Sequence, residues 1–289
     1  MGEYCIGVLG GSGLYDVAQL EGAQWIQVDS PWGAPSDEIR VGRIAGRKFA
    51  FLPRHGRGHR IAPGSLNTRA NIDVLKRAGA TDLLAVSAVG SLREELTPGQ
   101  FVAVDQFIDR TRGRVNSFFG EGIVAHVSLA DPVCPRLTAL AVAAARTAGA
   151  KVSQGATYLA MEGPQFSTRA ESNLYRSWGC DVIGMTAMPE ARLAREAELP
   201  YALMTMVTDY DCWREGEAPI EVEAIMARVR DNAATAGRML VALAEALPER
   251  REPSPIDIVL DMAIVTPPDA RDPAAMARLD AICRRVFQA

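Results

Sequence analysis

Five apolar, β-rich runs alternate with helical segments, and that alternation constrains the fold more than any other feature of the chain. The runs are YCIGVL at 4–9, FAFL at 49–52, LLAVSAVG at 83–90, DVIGMT at 181–186 and ALMTMVTD at 202–209. Segments at about 67–78, 136–148, 169–178, 189–198 and 220–246 read as helices, the third capped by Ser167 or Thr168. The pattern predicts an α/β fold. Each run also ends in a group with chemical potential: Ser12, then Arg54 and His55, then Ser87, Thr186 and Asp209. Ligands of open α/β sheets bind outside the carboxyl ends of the strands, so these five ends are expected to share one pocket. Strands that merely happen to end in polar residues are the alternative.

Three short motifs refine this. GGSGLYD follows the first run, but Asp16 stands where a dinucleotide fingerprint needs glycine, and no GxxxxGK[ST] occurs. What is left is a tight glycine turn that presents backbone N–H groups and the Ser12 hydroxyl, which suits one small oxyanion such as phosphate. A plain turn is the alternative. PRHGRGHR, at 53–60, holds five residues that can carry positive charge in a chain whose formal net charge is −4. It contains no lysine and no aromatic residue, which favours a phosphate clamp over a nucleic-acid patch. Arg54 at a strand end can grip phosphate with two N–H groups. At least one of Arg57, His59 and Arg60 is expected to be merely solvated. TDYDCW, at 208–213, puts two carboxylates directly after an apolar strand with no histidine nearby, so acid chemistry is favoured over metal ligation. A solvated acidic turn is the alternative.

Composition narrows the class. Hydrophobic residues make up 48% and charged residues 23% of 289, ordinary for a globular protein that needs no disulfide or structural metal. The five cysteines are widely spaced with no C-x-x-C pair, which predicts a reduced, cytoplasmic protein. No export signal or membrane helix is expected, and the acidic balance argues against broad nucleic-acid binding. The polar, proline-rich LPERREPSP at 247–255 reads as a linker. It divides a main domain, 1–250, from a C-terminal extension, 251–289. In that extension DPAAMARLDAICRRVF, 272–287, reads as one helix that packs on the body or on a neighbour.

Together, GGSGLYD, RHGRGHR, NTRAN, SAVGSLREE, DQFIDRT, MEGPQFSTRAES, GMTAMPE and TDYDCW resemble the methylthioadenosine phosphorylase family, a branch of the trimeric purine nucleoside phosphorylases. The resemblance runs from about residue 5 to 247, with the motifs in family order. It implies one α/β domain with a central mixed sheet flanked by helices. The implied reaction is phosphorolysis of 5'-methylthioadenosine to adenine and 5-methylthioribose 1-phosphate. Inorganic phosphate is then a cosubstrate, and no metal or organic cofactor is needed.

By resemblance, Ser12, Arg54, His55, Ser87, the backbone of Ala88 and Thr186 surround phosphate. Asp209 serves N7 of the base and Asp211 the 6-amino group, with the division between them open. Phe166 stacks on the base and Met185 lines the ribose hydroxyls. Relatives that cleave 6-oxopurine nucleosides have Asn at the position of Asp209 and Glu at that of Ser167, so adenine is the expected base. An apolar Val222 suits a methylthio group, where users of a free 5'-hydroxyl place histidine. His126 matches a residue that reaches the neighbouring subunit's 5' pocket, which implies a homotrimer. No residue of the C-terminal extension is carried over. Methylthioinosine or general purine nucleoside phosphorolysis is the nearest alternative, and a nucleotide- or RNA-binding module is the alternative of a different class.

Overall fold

The fold was analysed in a computed structural model, which describes residues 3–11, 14, 19–214 and 222–288. Strands β1 (Cys5–Gly10), β2 (Glu21–Ile26), β3 (Ile39–Ile44) and β4 (Arg47–Pro53) precede helix α1 (Thr68–Arg77). Next come β5 (Asp82–Ser91), β6 (Phe101–Asp109), α2 (Pro135–Thr147) and β7 (Val152–Ala160). They are followed by α3 (Arg169–Ser177), β8 (Val182–Gly184), α4 (Ala187–Glu196), β9 (Tyr201–Asp209) and α5 (Val222–Ala246). Two short helices, α6 (Pro273–Arg278) and α7 (Arg284–Phe287), lie near the C-terminus.

All five sequence-predicted strands form, as β1, β4, β5, β8 and β9, and so do the five predicted helices α1 to α5. Thr168 is the cap of α3: its hydroxyl accepts from the Glu171 N–H, and the Glu171 carboxylate accepts from the Thr168 N–H. The strand order is β2-β3-β4-β1-β5-β8-β7-β6-β9, with a further pairing between β5 and β9. Five strands therefore close on themselves, and four extend the sheet outward from β5. The sheet is mixed. β5 runs parallel to β1 and β9 but antiparallel to β8.

β5 is apolar because it is covered on both sides. Leu83, Ala85 and Val89 enter one core cluster, and Leu84 and Val86 enter another. Such double burial produces a continuous rather than an alternating run. Strand β7 is hidden in the sequence by Gly155, which adopts φ +78° where the β6–β7 register slips. That bulge breaks the two-residue period.

The C-terminal extension corrects the one-helix expectation. Asp272 caps α6, accepting from the Ala274 N–H at 2.7 Å. The helix then stops, because Leu279, Ile282 and Cys283 bury themselves in the main core and the Ile282 carbonyl accepts from Lys76 at 3.1 Å. A 3₁₀ segment, Pro255–Asp261, precedes it. Arg251, inside the expected linker, is bound to Asp82 and Asp257. The extension packs on the same body as the sheet.

Candidate active site

The site is built in a gap. Strand β1 partners β5 only as far as Ala85, and β8 joins β5 only from Gly90 onward. Residues 86–89 of β5 therefore have no strand beside them on that side, although β9 pairs them on the other. The Val86 carbonyl turns into the gap and accepts from Arg54 Nη1 at 3.0 Å. Two residues further on, the Ala88 N–H points the same way, because strand groups repeat every second residue. A cavity of about 250 Å³ opens there.

Nine of the thirteen sequence-predicted site residues line this cavity: Arg54, His55, Ser87, Ala88, Phe166, Met185, Thr186, Asp209 and Asp211. The convergence expected of the strand ends is met by β4, β5, β8 and β9. Ser12 lies outside the described residues, as does the side chain of Val222, whose backbone opens α5. Val229, two helical turns along α5, lines the cavity. Ser167 sits one layer back: its hydroxyl faces the sulfur of Met161, a lining residue, at 3.6 Å. His126 is exposed and lines no part of this cavity.

One wall carries hydrogen-bond donors. The Ser87 and Thr186 hydroxyls, from β5 and the residue before α4, lie 3.3 Å apart. Arg54 is 2% exposed, and its geometry departs from the bidentate clamp expected of it. Its Nε and Nη2 grip the two oxygens of Glu190, Nη2 also reaches the Leu9 carbonyl at 3.1 Å, and Nη1 holds Val86. The fork is committed to Glu190, which leaves one Nη1 N–H. Tyr201 donates its hydroxyl to Glu190 at 3.3 Å. Sequence reasoning missed Glu190. Its signal was position: it follows Thr186 by four residues in GMTAMPE, and the kink at Met188 turns the chain so that Glu190 meets Arg54.

His55 donates from Nδ1 to the Ile61 carbonyl at 2.8 Å and stacks on His59, with ring centroids 4.3 Å apart. Burial, helped by the positive charge of Arg54, lowers its pKa to about 4, so the ring is neutral at pH 7. Arg57 takes the solvated part expected within the basic block. It pairs with Asp37 and Glu38 and lies over the Trp25 ring, 44% exposed.

The opposite wall holds the carboxylates. Asp209 ends β9, and Thr208 donates to its Oδ2 at 2.6 Å. Asp211 is 8% exposed and its Oδ2 has no hydrogen-bond partner among the described residues. Burial pushes the Asp211 carboxyl above the usual carboxylate range against the lowering effect of the Ser172 hydroxyl, and the Asp209 charge pushes the same way as burial. Between the walls lie Met161, Met185 and Met206, with Phe166, 47% exposed, at the rim.

A donor wall facing a carboxylate wall across an apolar middle suits an oxyanion and a nitrogen base held on either side of a sugar. The chain belongs to the phosphorylase superfamily, whose family model matches residues 5–245. Over its whole length it is most informatively compared with S-methyl-5'-thioadenosine phosphorylases. That of Cereibacter sphaeroides is 56% identical over 98% of both chains. That of Bradyrhizobium diazoefficiens is 52% identical over 100% of both. A methylthioadenosine phosphorylase crystal structure from an antarctic soil metagenomic library has TM-score 0.92 and 42% identity, covering 98% of this chain and 99% of that one. The Schistosoma mansoni methylthioadenosine phosphorylase in complex with adenine has TM-score 0.78 and 34% identity, covering 84% of this chain and 91% of that one. The bacterial relatives therefore span the C-terminal extension as well.

Proposed function

We propose that the protein cleaves 5'-methylthioadenosine with inorganic phosphate, releasing adenine and forming 5-methylthioribose 1-phosphate. The observation that carries this reading is the cavity with donors on one wall and the Asp209–Asp211 pair on the other. Phosphate rests against Ser87, Thr186, the Ala88 N–H, His55 and the remaining Arg54 N–H, with Ser12 from the glycine turn. It attacks C1' of the ribose as the bond to N9 breaks. The sugar passes through an oxocarbenium-like state, whose positive charge the phosphate beside it stabilises. Phe166 stacks on the base, Met185 lines the ribose, and Val222 with Val229 gives the methylthio group an apolar seat.

The leaving purine needs a proton or a strong hydrogen bond at N7. The family resemblance assigns that task to Asp209. The hydrogen bonds favour sharing it differently. Two donors hold the Asp209 oxygens, which suits acceptance from the 6-amino group, while Asp211, whose pKa burial raises, is the proposed proton donor. The pair acts as one dyad. No metal or organic cofactor enters these steps.

The protein is proposed to work as a cytoplasmic homotrimer, with His126 completing a neighbour's pocket. Five unpaired cysteines, four of them buried, suit a reducing compartment. No helix among the described residues is long and apolar enough to cross a membrane. Around His126, Val124, Ile258, Met262 and Val265 are exposed apolar side chains, Met262 at 94%. Phe166, at the cavity, and Leu174 and Trp178, on α3 and at its C-terminal cap, are further exposed apolar side chains. Cyclic trimers join unlike patches, and exposed apolar surface beside His126 is available for such a contact.

The deciding experiment mixes protein, phosphate and 5'-methylthioadenosine and assays free adenine. Adenine is expected only when phosphate is present, and its release is expected to survive EDTA. Release without phosphate, or none at all, overturns the reading. Methylthioinosine is expected to be a poor substrate, because the Asp209 carboxylate sets an acceptor against its O6 and Ser167 supplies no carboxylate to accept from its N1–H.

A further inference from the structure

We propose that His55 makes the anion subsite selective for a protonated oxyanion, accepting through Nε2 a hydrogen bond from the P–OH of hydrogen phosphate. This deepens the function proposed above and rests on it.

A carbonyl oxygen can only accept, so the 2.8 Å contact with Ile61 fixes the His55 proton on Nδ1. The remaining polar atom of the ring, Nε2, is then an acceptor, on a residue that lines the cavity. The other groups on this wall can all donate: the Ser87 and Thr186 hydroxyls, the Ala88 N–H and one Arg54 N–H. The wall thus presents several donors and one fixed acceptor. Arg54 and the stacked His59 ring sit beside His55, and both oppose a second proton on it. An anion of four bare oxygens would set a lone pair of its own against Nε2. Hydrogen phosphate has one P–OH to turn there, which directs its ionised oxygens at the donors and at C1'.

The reaction's proton balance fits this orientation. Hydrogen phosphate enters with one P–OH. A C1'–O bond forms, the C1'–N9 bond breaks, and its electron pair leaves on the purine. The sugar phosphate produced is a dianion without a P–OH, and adenine has gained one proton. One proton has therefore left the phosphate and one has reached the base. Nε2 of His55 orients that P–OH as an acceptor without taking its proton, which is released to solvent as the ester dianion forms, while the base gains its own from the carboxyl pair.

The test titrates the parent protein calorimetrically with phosphate, arsenate, sulfate and monofluorophosphate. The first two carry an acidic proton at neutral pH, and the last two are dianions without one. Setting an acceptor against an acceptor forfeits a buried hydrogen bond, which corresponds to roughly 10- to 100-fold in affinity. Phosphate and arsenate are expected to bind at least about tenfold more tightly than sulfate and monofluorophosphate. A smaller gap overturns the proposal. In His55→Gln, whose amide can donate or accept, the gap is expected to shrink to less than about threefold. A variant that keeps the parent's selectivity also overturns it. The parent comparison decides the matter even if the variant does not fold. Phosphate-dependent adenine release with equal sulfate affinity overturns this inference alone. Absence of that release overturns the activity and the inference together.

Discussion

The backbone N–H of Asp211 donates to Oδ1 of Asp209 at 2.8 Å, so the first carboxylate of the pair is held in place by the residue that carries the second. Asp211 adopts φ +52° to do this, a left-handed conformation that places its own carboxyl in the buried corner. Gly90, the partner of Asp209 on the adjacent strand β5, completes the arrangement: a Cβ there would lie 3.1 Å from Asp209 Oδ1.

Asp209→Asn is therefore expected to turn an amide N–H toward the Asp211 N–H or toward the 6-amino group. The kcat/KM for methylthioadenosine should fall by about one to two decades, the cost of one unmatched buried hydrogen bond. Asp211→Asn removes the carboxyl whose pKa burial raises. The active form of that carboxyl is protonated, so parental activity should decline as pH rises through its raised pKa. The variant should be slower and lack that alkaline limb. Profiles of kcat/KM against pH for the parent and both variants check this. If the limb survives in Asp211→Asn and vanishes in Asp209→Asn, the proton belongs to Asp209.

The buried pair of Arg54 and Glu190 supports a second expectation. Removing one partner of such a pair leaves an uncompensated charge, at a cost of about 3–5 kcal/mol, while replacing both with apolar residues costs far less. Arg54→Met and Glu190→Met should each lower the melting temperature strongly. The double variant should recover much of the loss and still turn over poorly, because the Arg54 N–H is gone from the donor wall. Additive losses in the double variant would mean that the two residues are not coupled.

The strand ends were legible in the sequence because doubly covered strands of this sheet leave continuous apolar runs, and cavity-lining residues sit where those runs stop. Arg54, Ser87, Thr186 and Asp209 could be found that way. Glu190 could not, since nothing local distinguishes a carboxylate bound to Arg54 across the core from a solvated one on a helix. The role of Arg54 changed for the same reason: its strand-end position was readable, but its partner, 136 residues away, was not. β7 was lost to its bulge at Gly155. The break between α6 and α7 was lost because helical spacing of Met276, Leu279, Ile282 and Val286 continues across residues whose backbone is bent by burial and by Lys76.

His55 gives a pH dependence of known sign. Its pKa falls from 6.5 to about 4 on folding, chiefly through burial. Between those values the unfolded chain binds more protons than the folded one, so this group makes stability rise with pH through that window. Its destabilising effect is absent above pH 6.5 and grows as pH falls toward 4. Melting temperatures of the parent and His55→Gln, measured without phosphate, should therefore converge as pH drops from 6.5 to 4.5. A constant difference across that range would mean the ring is not held neutral.

The last expectation concerns the apolar surface beside His126. The His126 N–H donates to the Ala263 carbonyl at 2.9 Å, and the Val265 N–H donates to the Val124 carbonyl at 2.9 Å. These bonds tie the 124–126 segment to the 258–265 segment and display Val124, Met262 and Val265 together. Met262→Asp with Val265→Asp would place two charges in a surface proposed to be dehydrated, where unpaired charge is strongly unfavourable. Neither side chain lines the cavity, so the isolated subunit should keep its fold and its melting transition. The mass from light scattering should drop from that of a trimer toward one chain of 31.1 kDa. If His126 completes a neighbour's pocket, the dissociated variant should lose affinity for methylthioadenosine more than for phosphate. His126→Ala in the intact trimer should raise KM for the nucleoside in the same direction, by about one decade if one hydrogen bond or packing contact is lost. A parent that is monomeric and fully active would refute the arrangement. A trimer whose nucleoside KM ignores His126 would leave the assembly standing and remove His126 from the site.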